Sequence, residues 1–168
     1  IGTGNLEDKI SDMIKQEGVE DCVKILGAMT PENVRRHMEQ SEIFLFTSDF
    51  NEGWGAVLNE SMNSACAVVA SHAIGSVPFL INDGKNGFIY KSGNEDDLFN
   101  KVKILLDNSE KRKQISLEAY KTMAETWNAE VAVKNLMILI ENLNKNKSII
   151  LRDQPCEKIA YKNNYERI

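Results

Sequence analysis

The stretch Ile43-Phe44-Leu45-Phe46-Thr47-Ser48-Asp49-Phe50-Asn51-Glu52-Gly53-Trp54-Gly55-Ala56-Val57-Leu58-Asn59-Glu60 decides the fold. Its first five residues form a near-continuous apolar run, as expected of a parallel strand covered on both faces. A Gly-x-Gly turn follows, and the spacing then predicts a helix over about 55–65. A strand, a glycine turn and a helix N-terminus together present unpaired N–H groups and the positive end of a helix dipole to an anion. Glu52 and Glu60, with seven residues between them, bracket the turn and offer acceptors to hydroxyl groups. Phosphate on the amides with hydroxyls beside it is the ligand chemistry of a nucleotide sugar.

Outward from this stretch, apolar runs and helical patterns alternate. Asn5 is placed to cap a helix to about Gln16, with Leu6, Ile10, Met13 and Ile14 on one face and Gly18 at its end. Residues 23–26 read as a short strand. Thr30 and Pro31 supply an N-cap and a first helical residue, opening a helix that turns Val34 and Met38 inward and stops near Ser41. Beyond the central stretch come a strand over 67–71, a dense turn signal at Asp83-Gly84-Lys85-Asn86-Gly87, and a short strand over 88–90. Asn94, Ser109 and Asn128 are the expected caps of three further helices. The first opens with Glu95, Asp96 and Asp97, which suit the helix dipole; the other two reach about Glu125 and Leu143. The alternation predicts an α/β domain over 1–144, a Rossmann-like, doubly wound parallel sheet flanked by helices.

A chain of 168 residues is long enough to bury a core without disulfides or metal, and 42% hydrophobic with 27% charged residues is ordinary for a globular domain. A net charge of −5 argues against a nucleic-acid binder, which needs a concentrated basic face. Cys22, Cys66 and Cys156 form no CxxC pair; Cys22 and Cys66 read as small core residues, a pattern fitting a reducing, cytoplasmic compartment. No apolar stretch approaches the roughly 20 residues of a membrane-spanning helix. Residues 145–168 form a basic tail with six basic and three acidic side chains, so the remainder carries −8. The plain expectation for this tail is a solvated extension or a segment packed on another domain; the sharper one is peripheral contact with acidic lipid headgroups at the inner membrane face. Ile1-Gly2-Thr3-Gly4 reads as the end of a strand and its turn, as in a piece of a longer protein.

Open α/β sheets bind ligands outside the carboxyl ends of their strands. Three strand exits fall on that edge: Gly27 to Met29, Ser48 to Gly55, and Ser71 to Pro78. In the second, Gly53 and Gly55 allow close backbone approach, Trp54 offers an apolar wall, and Glu52 and Glu60 border one pocket. Each feature has a plainer reading. A lone helix glutamate is usually solvated, Trp54 alone is more often core packing than a platform, and His72 and His37 read as a loop and a helix-surface side chain. Nothing in the chain forms a Ser-His-Asp or Cys-His arrangement or a clustered set of metal ligands.

Residues 43–90 resemble the C-terminal half of retaining GT-B glycosyltransferases of family 4. Thr47-Ser48 stands at that family's P-S pair, Glu52-Gly53-Trp54-Gly55 at E-G-F-G, Glu60-Ser61-Met62-Asn63 at E-A-M-A, Gly75-Ser76 at G-G, and residues 83–87 at D-G-x-N-G. A weaker similarity runs from Gly2 to about Glu141 and includes Trp127. The resemblance implies one half of a GT-B fold that binds a nucleotide diphosphate sugar, most often a UDP-sugar, for retaining transfer to a glycan or lipid-linked acceptor in polysaccharide or glycolipid biosynthesis. It implies that Glu60 accepts from ribose hydroxyls, that Glu52 serves catalysis by holding sugar hydroxyls, and that the amides of Trp54, Gly55 and Ala56 meet the sugar or its distal phosphate. Gly53, Ser48 and Gly75 belong to the same donor site, and Met29 flanks the base. No cofactor and no metal is expected, since amides and basic side chains hold the leaving diphosphate. The chain departs from the pattern at Phe79, which replaces an acid, at Ser76, and at Ala65 and Ala67, which replace a glycine and a proline. The Arg and Lys that neutralise the diphosphate and the acceptor-binding N-terminal domain are expected upstream of Ile1, so this stretch alone should bind a donor weakly and transfer nothing. Two other readings share the pattern: a nucleotide-sugar-binding or regulatory module that has lost transfer, and a GT-B epimerase or phosphorylase.

Overall fold

A computed structural model of the protein describes residues 1–145, 147, 151 and 154–156. Three strands, β1 (Ile43–Phe46), β2 (Ala67–Ser71) and β3 (Phe88–Tyr90), form a parallel sheet in the order β1-β2-β3. Ile43 pairs with Ala67, and Val69 with Phe88. Around them run α1 (Glu7–Glu17), α2 (Pro31–Glu39), α3 (Val57–Asn63), α4 (Val77–Leu80), α5 (Glu95–Asp107), α6 (Ser109–Lys121), a π-helical turn (Thr122–Thr126) and α7 (Ala129–Asn144).

The central strand explains the layering. All five residues of β2 are buried. Val68 and Ala70 point into a core with Leu58, Met62, Val77 and Leu80, while Ala67 and Val69 point into a second core with Leu105 and Ile115. Two cores, one on each face, are what an uninterrupted apolar strand requires. Cys66 lies in the first core with its thiol on the Met38 carbonyl at 3.2 Å, and burial pushes its pKa up to about 11. Cys22, expected in the core, is instead exposed, its thiol donating to Asp21.

Several local signals act as read. Thr30 Oγ1 accepts from the Asn33 amide, Asn94 from that of Asp97 and Asn128 from that of Val131. Gly18 ends α1 in the left-handed conformation. Others are corrected. The α6 cap is Asn108, whose extended backbone lets its side chain take the Lys111 amide at 2.9 Å; Ser109 is already helical. Asn5 caps nothing, because the Gly4 carbonyl takes the Glu7 amide and α1 begins after Leu6. Residues 23–26 form no strand. The Val23 amide closes a turn onto the Val19 carbonyl, and Val23, Ile25 and Leu26 remain exposed without a ladder among the described residues. A strand exists only as a pair, and apolar character alone does not create one.

The last helix is unusual. Its buried residue is polar Asn135, whereas Val133, Leu136, Met137, Ile140 and Leu143 are exposed. The Asn135 amide donates to Gln154 Oε1 at 3.1 Å and to the Pro155 carbonyl at 2.9 Å. This short part of the tail therefore returns to α7 rather than extending into solvent; most of the basic tail, and the lipid-contact reading with it, lies outside the described residues. No helix among the described residues is long and apolar enough to cross a membrane.

Candidate functional site

β1 ends at Phe46, and the chain reaches α3 through residues 47–56. Asp49 organises the start of this loop: its carboxylate accepts from the Asn51 amide at 2.8 Å, and its carbonyl accepts from the Glu52 amide at 3.1 Å. Ser48 and Glu52 are half-buried. Gly55 holds φ at +74°, and a Cβ there would stand 2.8 Å from the Phe46 ring and 3.1 Å from Ile74. The turn is thus seated directly on the core, which a side chain at this position would prevent. The amides of Gly53, Trp54, Gly55 and Ala56 find no acceptor among the described residues, while Gly55 and Ala56 use their carbonyls to start α3 by accepting from Leu58 and Glu60. Free donors at the head of a helix are the anion-binding feature expected from sequence.

The third strand exit is locked to the second. Gly75 lies so close to the Gly53 carbonyl that any Cβ would collide with it. The Ser76 amide donates to the Trp54 carbonyl at 3.1 Å. Ser76 itself is fully buried, and its hydroxyl has no partner among the described residues. Trp54 is 42% exposed, yet its ring packs against Phe79 at 5.7 Å and Trp127 at 6.0 Å between centroids. Its indole N–H donates to Asn59 Oδ1 at 2.9 Å. It is therefore both packed and accessible. His72 ties the exits further, with Nδ1 accepting from the Ser92 amide at 2.9 Å and its ring edge-on to Phe50.

Glu60 and Met29 come together. Both line a groove of about 710 Å³ between the start of α2 and α3, with Val34, Arg36 and Asn63. Glu52 is not in that lining; it stands on the loop that follows β1, ahead of α3. Neither glutamate forms an ion pair among the described residues, which leaves both free to accept from hydroxyls. Arg35 and Arg36 were missed by sequence reasoning. Arg35 pairs with Glu39 and Arg36 donates to Asn33, and the signal that would find them is their helical spacing from Glu32 and Glu39 on α2. No group of three or more His, Cys, Asp or Glu side chains among the described residues is arranged to hold a metal ion.

The Asp83–Gly87 motif is structural in its contacts. Asn86, 7% exposed, accepts from the Asn82 amide at 2.7 Å and donates to the Leu80 carbonyl and to Thr122 Oγ1, each at 2.9 Å. Asp83 accepts from the Ile89 amide at 2.8 Å. The turn thereby pins α4, β3 and the π-helical turn to one another.

A parallel open sheet flanked by helices defines a Rossmann-like domain, and likenesses over most of the chain place it within the GT-B architecture. The model of the family "Glycosyl transferases group 1" matches residues 1–122, and the chain belongs to that family. A relative from Campylobacter jejuni, an N-acetylgalactosamine-N,N'-diacetylbacillosaminyl-diphospho-undecaprenol 4-alpha-N-acetylgalactosaminyltransferase, is 33% identical over 126 residues, covering 75% of this chain and 32% of the relative. The C-terminal domain of the glycosyl transferase group 1 family protein LpcC from Francisella tularensis superimposes with a TM-score of 0.63 at 26% identity, over 71% of this chain and 62% of that one. Anabaena Alr3699/HepE, solved in complex with UDP, superimposes with a TM-score of 0.68 at 25% identity, over 86% of this chain and 39% of that one. The chain spans about a third of the length of the curated relatives it matches.

Proposed function

We propose that this domain binds the nucleotide diphosphate sugar, with UDP as its nucleotide, for a glycosyltransferase that moves the sugar with retention to a glycan or lipid-linked acceptor. The observation that carries the reading is the loop before α3: among the described residues its four adjacent amides have no acceptor, and the carboxylate beside them, Glu52, has no ion pair. In this reading the amides of Gly53 to Ala56 receive the distal phosphate and sugar, with Ser48 and Gly75 framing the loop. Glu52 holds sugar hydroxyls as positive charge develops at the anomeric carbon, Glu60 accepts from the ribose, and Met29 lies against the base. Stabilising the departing diphosphate is the main electrostatic task, and it falls to amides and basic side chains rather than to a metal. The relatives' greater length supports a second domain that binds the acceptor, with the site between the two, in a cytoplasmic enzyme that meets its acceptor at the membrane face.

Binding of UDP, GDP and ADP, followed by ligand-observed NMR with Glu60→Ala as control, tests this. Selective binding of UDP that is lost in the variant is the expected result; equal affinity in both proteins rejects the ribose role. In the full-length enzyme, Glu52→Gln should lower turnover far more than nucleotide affinity, and a chelator should leave transfer intact.

A further inference from the structure

We propose that Phe79 and Trp127 are positioning residues that hold the donor loop in register by clamping Trp54, so that they control binding of the sugar rather than of the nucleotide. The inference rests on the donor-loop reading above. Trp54 lies between Gly53 and Gly55, two residues that give its backbone little rigidity of its own. Its position is instead imposed from four directions. Phe79 packs on the indole at 5.7 Å with the planes inclined by 32°, and Trp127 packs on it at 6.0 Å with an inclination of 41°. Both are tilted ring pairs within the centroid range of favourable aromatic contacts. Asn59 holds the indole N–H at 2.9 Å, and the Ser76 amide holds the Trp54 carbonyl at 3.1 Å.

These contacts come from segments far apart in sequence. Phe79 is on α4, whose preceding residue supplies the Ser76 amide. Trp127 directly follows the π-helical turn, where its amide reaches back to the Thr122 carbonyl at 2.8 Å. A π turn inserts one extra residue into the helical repeat and so re-aims the side chains that follow it; such insertions recur at functional sites. The same turn grips Trp54 by a second route, because Asn59 Nδ2 lies 3.7 Å from Met123 Sδ. The amides flanking Trp54 are those with no acceptor among the described residues, so the clamp fixes their direction. Glu60 and Met29, in contrast, line a groove that includes neither Phe79 nor Trp127. Loosening the clamp should therefore disturb the sugar end of a donor and spare the nucleotide end.

The test uses the full-length protein. Affinities are measured for UDP and for whichever of UDP-glucose, UDP-galactose and their N-acetyl counterparts the parent binds best, together with hydrogen exchange of residues 53–56. Trp127→Ala should weaken the UDP-sugar about tenfold, as misplacement of positioned groups does, leave UDP within about twofold, and speed exchange in the loop. Trp127→Phe should restore all three, and Phe79→Ala should repeat the loss independently. Equal weakening of UDP and UDP-sugar, or no rescue by phenylalanine, would assign the aromatic cluster to stability alone and overturn the proposal. An unchanged ratio in both alanine variants would overturn it as well, while UDP binding by the parent leaves the donor reading standing. A parent that binds no UDP removes the donor reading and this inference together.

Discussion

Gly55 and Ala65 occupy the same region of backbone space with opposite consequences, at φ +74° and +58°. At Gly55 the conformation costs little, and the missing side chain leaves room for Phe46 and Ile74. Gly55→Ala adds both left-handed strain and a steric clash, so it should destabilise the fold by about 2–4 kcal/mol, read from urea denaturation. Ala65 pays the strain outright, exposed at the turn between α3 and β2, where the resembling family has glycine. Ala65→Gly should raise stability by roughly 0.5–1 kcal/mol, relief of strain exceeding the added freedom of the unfolded chain; an unchanged denaturation midpoint would contradict this. The Gly-x-Gly signal was legible because only a few residue types tolerate such turns. That Gly55 carries both the left-handed φ and a close approach, and Gly75 a second close approach, depends on Phe46, Ile74 and the Gly53 carbonyl, and none of these contacts is visible along the chain.

Elements with a local cause were legible from local signals. Thr30, Asn94 and Asn128 cap where their side chains reach an amide three residues on, and β2 is apolar from Ala67 to Ala70 because both its faces are buried. Elements without a local cause were not. α4 has four residues and no hydrophobic period to read, and the π-helical turn differs from α-helix by one hydrogen-bond step. Residues 23–26 have strand composition but no partner ladder among the described residues. Between elements, Asn86 serves as a three-way polar joint joining Leu80, Asn82 and Thr122. Asn86→Ala leaves the Asn82 amide and the Leu80 carbonyl without this partner, while the Thr122 hydroxyl keeps its bond to the Glu118 carbonyl, and should lower stability by about 2–3 kcal/mol in thermal or urea unfolding. A change below about 0.5 kcal/mol would mean that water replaces the side chain at no cost.

At the scale of the whole molecule, α7 turns Val133, Leu136, Met137, Ile140 and Leu143 outward while it buries Asn135. A face that no described residue covers contributes little to the stability of this chain. Met137→Glu should therefore leave its unfolding free energy within about 0.5 kcal/mol, as for other surface substitutions; a loss of several kcal/mol would place the residue in a core. The amino-acid sequence by itself determined the parallel α/β layering, the Gly-x-Gly turn and the two carboxylates beside it, because hydrophobic period, capping residues and glycine turns act over a few neighbouring residues. Only the tertiary structure decided that Glu60 shares a groove with Met29, that the second and third strand exits are locked backbone to backbone, and that Phe79 and Trp127 meet on Trp54. Those contacts join residues tens of positions apart, and their geometry is set by how the two cores pack against the sheet, which no local pattern encodes.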